Sequence, residues 1–131
     1  MEYPTELEML EALPVVSNHV EEEDSIFWYE FRDDDRTLLR LSFSLNYRSV
    51  QTDVFIADCK VVSVCREGAV YLRIRPDADG NNMLIGEFGI TVYPIPNVEE
   101  RTARTQLIVR FFPRIEVNWS TLWDVNYDQL S

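Results

Sequence analysis

The stretch "LRLSFSLNYRSVQTDVFI", residues 39–56, decides the fold class. Leu39, Leu41, Phe43, Leu45 and Tyr47 alternate with Arg40, Ser42, Ser44 and Asn46, and Val50, Thr52, Val54 and Ile56 repeat the pattern. A period of two puts apolar side chains on one face of a strand and polar ones on the other. Working outward, Val70, Leu72 and Ile74 alternate in the same way with Tyr71, Arg73 and Arg75. Residues 26–31, 61–66, 84–93, 106–112 and 114–119 are further strand candidates. Turn chemistry separates them at Asp33-Asp34-Asp35, Glu67-Gly68, Asp79-Gly80-Asn81-Asn82 and Pro94-x-Pro96. The reading is a mainly β (α+β) chain of about seven or eight antiparallel strands, as one curved sheet or a small sandwich.

Helical signals lie at the ends. In "PTELEMLEAL" Thr5 can cap a helix with Glu8 three residues on, Leu7, Met9, Leu10 and Leu13 supply apolar positions, and Pro14 closes it. A second short helix is expected from Asn97 to Ala103, and a helical turn in the C-terminal "STLWDVNYDQL". One domain over 1–131 is the expectation: an N-terminal helix (1–14), an acidic connection (15–25), an antiparallel β core (26–119) and a C-terminal segment (120–131). With 46% hydrophobic residues the chain can build a core without metal or disulfide staples.

The charge is placed unevenly. The net charge is −11, and residues 1–35 hold twelve acids and one base, Arg32, whereas the remainder balances. Eight of those carboxylates lie in "EEEDSIFWYEFRDDD", residues 21–35. Such asymmetry points to an interaction surface, and it opposes nucleic acid as a partner because phosphates are repelled. The first twenty residues carry four glutamates and no Lys or Arg, which is unlike a secretory leader, and no apolar stretch is long enough to span a bilayer. A cytoplasmic location is expected. Cys59 and Cys65, six apart on one expected strand, would stand about 20 Å apart, too far to bridge. They read as two buried thiols in a reducing compartment, where the Asn118-Trp119-Ser120 sequon carries no meaning.

Equipment for catalysis is sparse. The single histidine, His19, falls in the acidic connection and reads as a solvated loop residue, and Lys60 is the single lysine. Neither cysteine has a histidine near it in sequence, as an activated nucleophile needs. "DADGNN" (77–82) resembles the front of a calcium loop, but its glycine comes too early and Phe88 stands where the bidentate Glu belongs, so a hairpin turn is the reading. Asp33-Asp34-Asp35 are too contiguous to converge on one ion. The four glycines fit turns and bulges and form no phosphate loop. No catalytic residue, metal or cofactor is expected.

Eleven of the twelve bases are arginine, with Arg40, Arg73, Arg75 and Arg110 at outward strand positions. They are expected to pair with Asp53, Glu87 and Glu116, or with the acidic N-terminal segment folded over the sheet. The stretch 21–35 has two readings: a strand apolar on both faces guarded by acids, or a surface that meets a cationic partner.

A small, acidic, mostly β chain of this character resembles the immunity proteins that bacteria encode beside their secreted or contact-delivered toxins. The resemblance implies a non-enzymatic protein that neutralises a basic toxin domain. The expected contact is Glu21, Glu22, Glu23, Asp24, Asp33, Asp34 and Asp35, with Trp28, Tyr29 and Phe31 as aromatic anchors. The alternatives are a structural β domain that pairs with itself as a homodimer, and a small enzyme or ligand carrier with a pocket in a curved sheet.

Overall fold

The computed structural model describes residues 1–34, 36–91 and 102–124. Helix α1 (Glu6–Ala12) is followed by β1 (Val15–Glu21), β2 (Ile26–Arg32), β3 (Thr37–Ser44), β4 (Ser49–Ile56), β5 (Cys59–Arg66), β6 (Ala69–Pro76), β7 (Asn82–Thr91), β8 (Thr102–Arg110) and β9 (Glu116–Asp124). The first five strands form one sheet in the order β1-β2-β3-β4-β5, and the last four form a second, β6-β7-β8-β9. Every neighbouring pair is antiparallel.

The two sheets share one core. Tyr29, Phe31, Leu39, Leu41, Phe43 and Val50 come from the first sheet, and Leu72, Leu84, Phe88, Leu107 and Val109 from the second. Burying one such side chain contributes about 1.5–3 kcal/mol. An exposed ion pair gives about 0–1 kcal/mol, so packing holds the fold. Polar tethers fix how the sheets sit. The Trp119 indole N–H donates to Thr52 Oγ1 at 2.9 Å, and the Ile115 N–H donates to Asp33 Oδ2 at 2.9 Å. Gly68, at φ +79°, makes the step between sheets, and its carbonyl accepts from the Gly89 N–H at 3.0 Å. A side chain there would meet the Gly89 carbonyl oxygen at 2.7 Å.

The N-terminal helix forms as its capping box specifies, with the Thr5 hydroxyl accepting from Glu8 N–H and the Glu8 carboxylate from Thr5 N–H. It buries Met9 and, just past its end, Leu13. Before it, Glu2 forms a parallel bridge to Tyr71 on the edge strand β6.

Several expectations need correction. Residues 15–21 are strand β1, not a connection, and His19 is an exposed strand residue, not a loop one. An edge strand needs only a neighbour's backbone, so it can form with few inward apolar side chains. The core strands extend past 119, because 120–124 continue β9 as Asp124 pairs with Thr102. The helical turn expected there is absent over those residues, and 125–131 lie outside the described residues. Of the helix expected at Asn97–Ala103, residues 102 and 103 begin β8, and the remainder lies outside the described residues. Cys59 and Cys65 do share one strand, yet both are exposed, because β5 is an edge.

Candidate functional site

The acidic stretch 21–35 is divided by the strand inside it. Glu21 pairs with Ile26, and Glu22, Glu23 and Asp24 form the turn of the β1–β2 hairpin. Ser25, at φ +51°, donates its N–H to the Glu22 carbonyl, and its own carbonyl accepts from Leu45 N–H at 3.1 Å. The Asn46 side chain donates to the Asp24 carbonyl at 3.2 Å. This turn is thereby pinned to the neighbouring β3–β4 turn. Its four acids are exposed, and among the described residues no Lys or Arg lies within ion-pair distance of Glu21, Glu22, Glu23 or Asp24. His19 approaches Glu21 at 3.5 Å.

Glu30 lies within β2, and Asp33 and Asp34 sit at its far end, about 20 Å away along seven strand residues. There Asp33 accepts from Thr37 N–H at 3.1 Å as well as from Ile115, so it joins elements of the fold. Asp34 is exposed beside a polar depression of about 470 Å³ that Arg32, Arg36 and Asp58 also line. Asp35 lies outside the described residues.

Two of the three expected aromatic anchors are core residues. Tyr29 and Phe31 are 0% exposed. Their partners on β3 are Leu41 and Leu39, which face inward and set the same direction for them. Tyr29 stacks on Phe43 at 6.2 Å between centroids, and Phe31 packs on Phe111 at 4.5 Å. Burial, with Glu6 adding to it, pushes the Tyr29 phenol up to about 12. Neither ring can be a surface contact. Trp28 faces out.

Around Trp28 the outer face of the first sheet carries residues that the strand pattern does not bring together. His19 lies opposite Trp28, with centroids 5.8 Å apart. The Arg40 guanidinium lies over Trp28 at 5.4 Å and over Phe55 at 5.5 Å, and Lys60 lies over Phe55 at 5.7 Å. Arg40 pairs with its cross-strand partner Glu30 at 3.1 Å. Asp53, 5% exposed, accepts from Gln51 and Ser63 and lies 3.9 Å from Lys60. Only outward strand position was legible for Arg40. Its two rings come from strands on either side, which register brings together.

On the second sheet Arg73 pairs with Glu2 at 2.9 Å and lies 3.8 Å over the Tyr71 ring, and Arg104 approaches Glu87 at 3.4 Å. Hydrogen bonding from Arg73 holds the Glu2 carboxyl below its usual range. The arginines are thus partly matched by internal acids, Asp53 taking Lys60 instead. Among the described residues no group of three or more His, Cys, Asp or Glu side chains is placed to hold a metal. No helix among them is long and apolar enough to cross a membrane. Asp77 organises the 77–82 turn by accepting from Asp79 and Asn81 N–H.

No family model matches the chain, and no curated protein matches it. Among solved structures it is similar to a chain of a contact-dependent growth inhibition toxin–immunity protein complex from Klebsiella pneumoniae 342. The two superpose with a TM-score of 0.70 over 92% of this chain and 96% of that one, at 21% identity. The fold is one found in a toxin–immunity pair. At that identity the likeness is one of architecture, and side chains are read from this chain alone.

Proposed function

We propose that this chain is a non-enzymatic immunity protein, which binds a cognate toxin domain with a basic surface and neutralises it in the bacterial cytoplasm. The observation that carries the reading is the fold likeness to a chain of a toxin–immunity complex, over nearly the whole length of both. The charge favours the immunity member of such a pair. Four exposed acids, Glu21 to Asp24, meet no Lys or Arg of the described residues. Like charges so close repel, and a cationic partner relieves that repulsion while being steered toward it. Asp34, exposed at the opposite end of β2, adds to the negative charge.

The test uses the toxin domain encoded beside this chain. Co-expression should rescue cells from that domain, and the two purified proteins should form a stable complex. Changing Glu21, Glu22 and Glu23 to Gln together with Asp24→Asn should slow association by about tenfold at low salt and flatten its salt dependence. Absence of both rescue and complex formation rejects the reading.

A second reading, self-association, is favoured by the open edge strand β5, where Val61 and Val62 are each about half exposed. Sedimentation of the chain alone separates the two.

A further inference from the structure

Five side chains from five different strands form a row across the outer face of the first sheet: His19, Trp28, Arg40, Phe55 and Lys60. Rings and cationic or imidazole groups alternate along it. Each nitrogen-bearing group also has a carboxylate beside it: Glu21 at His19, Glu30 at Arg40 and Asp53 at Lys60. The side chains of Arg40 and Lys60 are 43% and 51% exposed, so the row is open to solvent.

Two properties set this row apart from a merely solvated face. Its members are held before any partner arrives, because a cation lies over each ring and each cation has a carboxylate beside it, so less side-chain freedom is lost on docking. Trp and Arg are also the residue types in which binding energy concentrates. The charge has a direction as well. Arg40 is matched at the centre and Lys60 at the β5 edge, whereas negative charge that meets no Lys or Arg of the described residues collects at the other edge, beyond His19, at Glu22 to Asp24. A fitting partner therefore presents a flat apolar or aromatic centre with basic side chains along one side.

Resting on the immunity reading, we propose that this outer face is the docking surface for the cationic toxin domain. Trp28, Arg40 and Phe55 are its centre, and the β1–β2 hairpin turn is the rim that steers approach.

The experiment measures the toxin domain encoded beside this chain against the intact chain and its variants. Trp28→Ala and Phe55→Ala should each weaken binding at least tenfold through faster dissociation, with circular dichroism and thermal midpoint verifying the fold. Val70→Ala, at an exposed position on the second sheet, should leave affinity unchanged. If a ring variant fails to fold, Lys60, the single lysine, reports on the unaltered chain. Its acetylation should slow at least tenfold in the complex. A complex in which folded ring variants bind normally, or in which Lys60 reacts at its free rate, overturns the docking face and leaves the immunity reading standing. A toxin domain that neither binds nor is neutralised overturns both. A dimer of the chain alone that Trp28→Ala dissolves assigns the face to a second copy and overturns the proposal.

Discussion

Asp33 bridges the two sheets through Ile115: its Oδ2 accepts the Ile115 N–H at 2.9 Å while Oδ1 accepts the Thr37 N–H at 3.1 Å. One carboxylate thereby closes the β2–β3 hairpin and holds the approach to β9. Asp33→Ala leaves two partly buried N–H groups without that acceptor and should lower unfolding free energy by about 1–3 kcal/mol. Asp33→Asn, which keeps one acceptor, should fall in between. Urea denaturation of the three proteins checks the order, and equal midpoints would remove Asp33 from the tether.

Gly86 sits where the sheets leave no room for a methyl group. A Cβ there would meet Leu72 Cδ2 at 2.9 Å and Phe88 Cε2 at 3.2 Å, and both neighbours are buried. Neither can retreat into solvent, so Gly86→Ala should cost about 1–3 kcal/mol through forced repacking. Thermal unfolding measures it, and a variant as stable as the parent would mean that the core between β6, β7 and β8 is looser than described.

The buried Tyr29 phenol predicts a dependence on alkaline pH. Folding raises its pKa from 10 to about 12, so the neutral form is favoured in the native state. The stability linked to it is intact below pH 10 and is lost as pH rises from 10 towards 12. Tyr29→Phe has no such proton to lose. Its unfolding free energy should decline less steeply above pH 10 than the parent's, and parallel curves would contradict the linkage.

Where the sequence alternates, the structure follows it as far as Ser44, but the expected alternation at Leu45 and Tyr47 falls in the β3–β4 turn, which leaves Tyr47 exposed. Leu39, Leu41 and Phe43 point inward, and Arg40 and Ser42 point outward, as their spacing requires. Strand β2 was ambiguous because Ile26–Phe31 is apolar at both parities. Its inward face was set by Leu39 and Leu41 on the next strand, information that lies outside the segment. Strand β1 was invisible for the opposite reason, since an edge strand of Ser17, Asn18 and His19 has little apolar signal. Thiol exposure was missed because strand pattern does not distinguish an edge from a centre. The acidic excess was legible, but its division between two ends of β2 required knowing that Ile26–Arg32 runs straight.

The sheet order has a kinetic consequence. Within each sheet every strand pairs with its neighbour in sequence, so each meander can zip up from adjacent segments with small loop-closure entropy. Two steps are long-range: docking of one meander on the other, and the return of Glu2 to Tyr71. During synthesis the first meander is complete by residue 66, well before β9 emerges, and its inner face then awaits the second half. Refolding should accordingly be limited by the meeting of two preassembled halves, with the N-terminus arriving afterwards as a latch.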